Sequence, residues 1–259
     1  MKIFVFVVSH GHDDYIINNA DLVTLACEDG VTVCIKDNIR SPVLETHCLN
    51  NDLEYFITDN RLGFGANNNF LFNKLSHSDL ICGNDYIVIL NPDLTIEAKQ
   101  LVDFVSELSK KGNRFATINL YKDKELSTYD NSVRRFPSLI DFVASFLFKV
   151  NKTIIDKSKI EEATSVDWCA GSFMALRADL YDQLNGFDER YYMYCEDLDL
   201  CFRAKYLFDQ GLTFFPNFTA IHLAQHSNRK LLSKHFFWHL TSVAKFIILK
   251  IRLKGLLNV

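Results

Sequence analysis

The sequence predicts an α/β protein built on a mostly parallel sheet flanked by helices. Short apolar runs rich in β-branched and aromatic residues alternate with helical patterns, the mark of βαβ units. Successive runs end in Asp or Asn. A chain of 259 residues, 48% hydrophobic and 23% charged, can bury the core such a sheet needs.

Residues 3–8 are the first continuous apolar run and read as a buried parallel strand. A helical pattern over 14–27 follows. Residues 31–35, 53–57 and Tyr86–Leu90 read as the next strands, with helical spacing over 67–75 and 97–110. Residues 121–137 read as a polar loop closed by Arg134-Arg135-Phe136-Pro137, and 139–150 as a strongly apolar helix. A second half opens near Val166. It holds a strand at 173–176, a short helix at 178–184, helical character over 196–209, a short strand at 212–215 and a terminal helix over 231–253. The expected organisation is one domain over 1–230, in halves 1–120 and 121–230, and a C-terminal segment 231–259.

In open α/β sheets, ligands bind beyond the carboxyl ends of the strands. Asp37, Asn38, Asn60 and Asp93 follow such ends and should converge on one crevice. Each alone is also an ordinary turn former; their recurrence at strand after strand favours a site. Asn91-Pro92-Asp93 closes the strand Tyr86–Leu90. A nucleotide diphosphate needs its charge countered, and Mg²⁺ on one or two carboxylates does this when phosphates supply other ligands. Asp93 fits that role, although the tripeptide is also a plain turn.

Residues 60–69 form a glycine-bearing turn entering a helix. Gly63 and Gly65 allow close backbone approach, and the helix start can face phosphate. Arg61 can add a charge-assisted contact. A well-capped helix is the plain alternative, and the run Asn67-Asn68-Asn69 favours a ligand role.

The sharpest pattern is Glu196, Asp197 and Asp199 interleaved with apolar residues. Acids are favoured at a helix N-terminus, and a carboxylate in the crevice can act as general base. A charged cap with an Asp199–Arg203 pair along the helix is the structural alternative. His222 lies among apolar neighbours. It is either a packed core histidine or, beside Asp93, a metal ligand; His226 is a weaker candidate.

Taken together, these motifs resemble family-2 glycosyltransferases of the GT-A fold over residues 1 to about 230. The matching segments are Val8-Ser9-His10-Gly11, Lys36-Asp37-Asn38, residues 60–69, Leu90-Asn91-Pro92-Asp93, residues 166–173, Gly186-Phe187-Asp188 and residues 196–200. Residues 132–137 and 166–177 carry a closer likeness to bacterial O-antigen rhamnosyltransferases acting on N-acetylglucosamine-diphosphoundecaprenol.

The resemblance implies an inverting transferase whose half 1–120 takes the nucleotide sugar and whose half 121–230 takes the acceptor. Ser9, Asp37, Asn38, Asn60, Arg61, Gly63, Asn67 and Asn91 are expected on the nucleotide sugar, with Asp37 at the base. Asp93 and His222 would hold a divalent metal, Mg²⁺ or Mn²⁺. Asp197 would be the catalytic base. Trp168, Gly171 and Glu196 would form the acceptor side, where Arg134 and Arg135 either meet its diphosphate or stay solvated. Asn91 stands where the family's DxD motif has its first Asp, so a neutral oxygen replaces a carboxylate. The closer likeness favours dTDP-L-rhamnose as donor; composition and spacing leave UDP-galactofuranose and UDP-hexoses open.

Competing classes fit less well. A nucleotidyltransferase would need a glycine-rich, basic loop after the first strand, where Ser9-His10-Gly11-His12 stands. Asp93, Asp197 and His222 argue against a non-catalytic binding subunit. The seven cysteines form no CxxC pair, so they read as reduced thiols of a cytosolic protein without a zinc site. The apolar start is too short for a signal peptide, and no run reaches the roughly 18 residues of a spanning helix.

The net charge of −4 hides a split, because every charged residue after Asp209 is basic. Lys245, Lys250, Arg252 and Lys254 punctuate an apolar helical pattern over 236–257. This reads as a helix lying on the anionic cytoplasmic membrane surface, with packing on the sheet or a dimer contact as alternatives. It is too apolar for a nucleic-acid arm, and a homo-oligomer stays open.

Overall fold

The computed structural model describes residues 1–148, 151–223 and 234–257. Four parallel strands, β1 (Ile3–Ser9), β2 (Val31–Asp37), β3 (Glu54–Ile57) and β4 (Tyr86–Leu90), make one half of the main sheet in the order β3-β2-β1-β4. The other half adds β5 (Leu94–Thr95), β6 (Phe115–Tyr121), β8 (Thr164–Val166), β10 (Phe173–Arg177) and β11 (Leu212–His222). Strand β10 lies antiparallel between β4 and β6, while β6 and β11 run parallel. The sheet is therefore mixed, with its parallel character concentrated in the β3-to-β4 half. Strands β7 (Val133–Arg134) and β9 (Trp168–Cys169) form a separate two-stranded ribbon.

Alternation along the strands sends side chains to two cores. Phe4, Phe6, Ile87, Ile89, Met174 and Leu176 face one side, and Val5, Val7, Val33, Val88 and Ile118 face the other. Helix α5 (Ala98–Lys111) covers the second side with Leu101, Phe104 and Leu108. Helices α4 (Phe64–His77), α7 (Ala178–Gln183), α8 (Glu196–Phe208) and α9 (Lys234–Leu257) cover the first. Phe246 of α9 is fully buried there, so this helix packs its inner face on the core. Helix α6 (Leu139–Phe148) lies against it, with the Phe142 and Phe246 rings 6.2 Å apart.

Several expectations change. The helix expected over 14–27 is two, α1 (Asp13–Ile17) and α2 (Ala20–Ala26), broken at Asn18 and Asn19. The Asn19 amide leaves the helical line to donate to the Leu94 carbonyl. Helix α3 (Pro42–Asn50) was not expected, although Ser41 caps it and Pro42 opens it in the usual manner. Strand β6 was also missed, and the halves 1–120 and 121–230 share one sheet. Strand β11 runs to His222 through an irregularity between Phe215 and Thr219. The loop expected over 121–137 contains β7. His226, the start of the expected terminal helix at 231–233 and the boundary at 230 lie outside the described residues.

Asn69 ties the two halves together. Its Oδ1 accepts from Tyr181 Oη at 2.7 Å and Phe187 N at 2.9 Å, and its Nδ2 donates to the Phe187 carbonyl. Gly186 has φ +60°, and a Cβ there would meet Asn69 Oδ1 at 2.1 Å. Replacing Asn69 by Ala strands buried donors and a buried acceptor. A loss of about 2–4 kcal/mol in urea unfolding is expected; a loss under about 0.5 kcal/mol would mean that the loop satisfies itself without Asn69.

Candidate active site

The carboxyl ends of β1, β2 and β4 open onto one edge of the sheet, and the start of β10 joins them because that strand runs in reverse. Ser9 and Asp37 are register partners. Asp37 is fully buried. Its Oδ1 accepts from Ile39 N at 2.9 Å, and its Oδ2 from Ser41 N at 2.7 Å and Tyr55 Oη at 2.9 Å. It thus fixes the turn after β2. Asn38 links that turn to its neighbours, bonding His10 Nδ1 at 3.0 Å and exchanging two bonds with the Leu62 backbone. Ser9 Oγ accepts from His12 N.

Asn60 and Arg61 are exposed at the rim. Burial first, and then the Arg61 cation, push the His10 pKa down, so Arg61 faces the β1 end. Gly63 begins α4 where the chain passes the Tyr192 carbonyl; a Cβ would lie 2.2 Å from that oxygen. Asn67 is fully buried and donates to the Leu62 and Gly63 carbonyls. It shapes the glycine turn from behind. The three Asn amides donate to the helix entry and the Gly186–Glu189 turn, while Asn67 Oδ1 and Asn68 Oδ1 are buried without a partner among the described residues.

On the far side of β4, Asn91, Asp93, Asp130 and His222 meet. His222 Nε2 lies 3.3 Å from Asp93 Oδ1 and 3.4 Å from Asn91 Nδ2, and its Nδ1 lies 3.4 Å from Asp130 Oδ2. His222 is no ordinary core histidine. Burial disfavours its cation, but the Asp130 and Asp93 carboxylates outweigh burial and hold its pKa up at about 9. The same contact brings both carboxylates below their ordinary range in spite of their burial.

Asp93 and His222 suit a divalent ion. Ligands at about 2.1 Å on adjacent octahedral corners lie about 3 Å apart, close to the observed pair, and oxygen and imidazole are apt donors. Among the described residues no cluster of three or more His, Cys, Asp or Glu could hold a metal ion alone. A cavity of about 380 Å³ opens beside Asp93, lined also by Asp14, Tyr15, Asn18 and Asn19.

Asp197 stands in the first turn of α8. Its Oδ2 accepts from Gly171 N at 3.0 Å and its Oδ1 from Leu198 N at 2.8 Å. Burial pushes its carboxyl up; the two N–H groups and the Arg134 cation pull it back, and it stays above the ordinary Asp value. Gly171 has no room for a side chain, because a Cβ would lie 2.9 Å from the Phe64 ring. The Ser172 carbonyl next door accepts from Asn91 N at 3.0 Å, so one bonded path joins Asp197 to the Asp93 cluster.

Glu196 is buried beside Asp197 with an unpartnered Oε2. Trp168 is nearly buried, donates to the Arg135 carbonyl at 2.9 Å and lies under the Arg134 guanidinium. Arg134 thereby joins the Asp197 side, while Arg135 is exposed and donates to the Lys152 carbonyl. The Asp199–Arg203 pair forms at 2.6 Å inside the fold.

Sequence reasoning missed Asp130, which sits in an aperiodic polar stretch with no local signal. It also missed the turn before α8. Tyr194 and Cys195 both have positive φ, +72° and +64°, a strained pair for residues with side chains.

Comparison with solved structures establishes the fold. A crystal structure of GalNAc-T7 with UDP, GalNAc and Mn²⁺ matches with a TM-score of 0.59 and 14% identity over 86% of this chain and 44% of that one. S. aureus TarS 1–349 in complex with UDP-GlcNAc matches at 0.60 and 14%, over 92% and 64%. The chain thus spans less than two thirds of these structures. The fold is that of the GT-A glycosyltransferases. No protein-family model matches the chain.

Rhamnosyltransferase WbbL of Escherichia coli (strain K12) is 39% identical over 248 residues, 96% of this chain and 93% of that protein. The N-acetylglucosaminyl-diphospho-decaprenol L-rhamnosyltransferase of Mycobacterium tuberculosis (strain ATCC 25618 / H37Rv) is 28% identical over 87% of this chain and 77% of that protein. The chain belongs to the rhamnosyltransferase family of glycosyltransferases that includes WbbL.

Burial, and next the Asp197 charge, push the Glu196 carboxyl up to about 8. A raised folded value contributes stability in full below the ordinary Glu value of about 4.5 and loses it as pH rises through about 8. Between about pH 6 and 9, the melting midpoint of the wild type should therefore fall a few degrees further than that of Glu196→Gln. Parallel melting curves for the two proteins would mean that Glu196 is ionised throughout.

Proposed function

We propose that this enzyme transfers L-rhamnose from dTDP-L-rhamnose, with inversion, to N-acetylglucosamine carried on a polyprenyl diphosphate at the cytoplasmic face of the membrane. The near full-length likeness to WbbL carries this reading, and the acceptor follows that of the mycobacterial N-acetylglucosaminyl-diphospho-decaprenol L-rhamnosyltransferase. Asp197 accepts the proton of the attacking acceptor hydroxyl. That oxygen bonds to the anomeric carbon as the bond to the nucleotide diphosphate breaks on the opposite face. No protein nucleophile is required, and a carboxylate kept basic by burial suits the task.

The turn held by Asp37 and Asn38, with Ser9, Asn60, Arg61 and the Asn67-shaped Gly63 loop, meets the nucleotide. Asn91 lies beside its diphosphate. Asp93 and His222 would hold Mg²⁺ or Mn²⁺. When bound, the ion offsets the negative charge that grows on the leaving group. Asp130 fixes the His222 ring. Trp168, Gly171 and Glu196 wall the acceptor sugar, and Arg134 and Arg135 face its diphosphate.

Incubation of dTDP-L-rhamnose with a synthetic N-acetylglucosamine-diphospholipid tests the reading. Wild-type product is expected, with Asp197→Asn slower by about 10²–10⁴-fold. An equally active variant would remove Asp197 as base. Turnover only with UDP-galactofuranose or a UDP-hexose would move the donor assignment.

Chelation by EDTA should reduce transfer, with recovery on adding Mn²⁺. Asp93→Ala should weaken nucleotide binding in the presence of Mn²⁺ and leave metal-free binding nearly unchanged, as read by calorimetry. Transfer indifferent to EDTA would make the Asp93–His222 pair a structural ion pair.

A further inference from the structure

Helix α9 presents two chemically different faces. Phe246 and Leu253 are buried on the inner side. Leu240, Ile248 and Ile251 share the opposite stripe at helical spacing and are 55%, 51% and 66% exposed. The neighbouring α6 exposes Ile140, Val143 and Phe148, at 78%, 47% and 71%. The two helices are joined by the Phe142–Phe246 contact and by Lys250 Nζ donating to the Pro137 carbonyl at 2.7 Å. Their apolar stripes therefore adjoin at one corner of the molecule. Exposed apolar surface of this extent marks a site of association.

Charge selects the occupant. Helix α9 carries no carboxylate, and exposed Lys245 and Arg252 flank its apolar stripe. The single acid of α6, Asp141, is engaged by the Ser138 N–H and hydroxyl. Apolar stripes bordered by cations match a bilayer interface carrying anionic headgroups. Among the described residues no helix is long and apolar enough to cross a membrane, so the match is to a surface.

We propose that α6 and α9 together form a docking face for an anionic bilayer, with Ile140, Val143, Phe148, Leu240, Ile248 and Ile251 entering the interface and Lys245 and Arg252 meeting lipid phosphates. The proposal rests on the lipid-linked acceptor read above for its purpose. The inner side of α9 holds the turn that leads to Asp197, since Ser242 Oγ donates to the Met193 carbonyl at 3.0 Å. Docking by the outer side sets that turn about one helix diameter, roughly 10 Å, from the bilayer, where an acceptor diphosphate emerges.

Flotation with vesicles of phosphatidylcholine, alone or with about one-third phosphatidylglycerol, tests the face. The wild type should float with the anionic vesicles and partly detach as salt rises. Ile248→Asp with Ile251→Asp, and separately Ile140→Asp, should lower partitioning by at least about tenfold. Arg252→Glu should weaken binding to the anionic vesicles only. All four substitutions lie on exposed positions, and unchanged melting curves would establish that the variants fold.

Transfer to a short-chain, water-soluble acceptor should be unaffected by them. If the wild type floats but ignores this acceptor, the acceptor reading fails and the docking face stands. A wild type that does not float, or a double variant that floats equally well, overturns the face. So would sedimentation showing a dimer that the same substitutions dissociate, because the face would then belong to a second copy.

Discussion

The site depends on keeping one carboxylate charged in a place that disfavours charge. Asp197 is half-buried, and the loss of part of its water pushes its carboxyl up. The Gly171 and Leu198 N–H groups and the Arg134 cation supply what water no longer does. This constraint reaches into the fold. Gly171 can approach only because it has no side chain to strike Phe64. It arrives at the ligand edge only because β10 runs against its neighbours. An all-parallel sheet would place the start of that strand at the opposite edge.

Much of the architecture was legible because its driving force is local. Residues 3–8 and Tyr86–Leu90 are apolar at every position, and burial on both faces leaves little alternative to an interior strand. Strand β6 was hidden because Thr117 and Asn119 interrupt its apolar run. Both are buried, and Thr117 is satisfied by the Phe173 carbonyl, a partner that exists only after folding. Pro216-Asn217 looked like the end of a strand and is instead the irregularity that lets β11 continue to His222. The candidate residues that follow strands were found by a rule about strand ends. Asp130 follows no strand and reaches His222 across 92 positions of sequence, so nothing local announced it.

The histidine cluster has a logic of its own. One imidazolium between the Asp93 and Asp130 carboxylates leaves the unit with one net negative charge. A divalent ion held by Asp93 and His222 would answer the same negative charge and would displace the imidazolium proton. Asp130 touches only the other nitrogen and would remain in place through the exchange, which separates its part from that of Asp93.

The strained turn before α8 explains why the C-terminal helix belongs with the catalytic half. Two consecutive left-handed residues with side chains cost about 1–2 kcal/mol each, and a free turn would relax. Here Ser242 grips the Met193 carbonyl, Trp238 packs 4.7 Å from the Tyr192 ring, Lys245 donates to the Arg190 carbonyl, and His239 meets Tyr194 edge-on. Each contact comes from α9, and each falls within six residues of Glu196. Displacing α9 would therefore release the turn and shift Asp197. One helix thus holds the turn before Asp197 with its inner side and carries an exposed apolar stripe on its outer side.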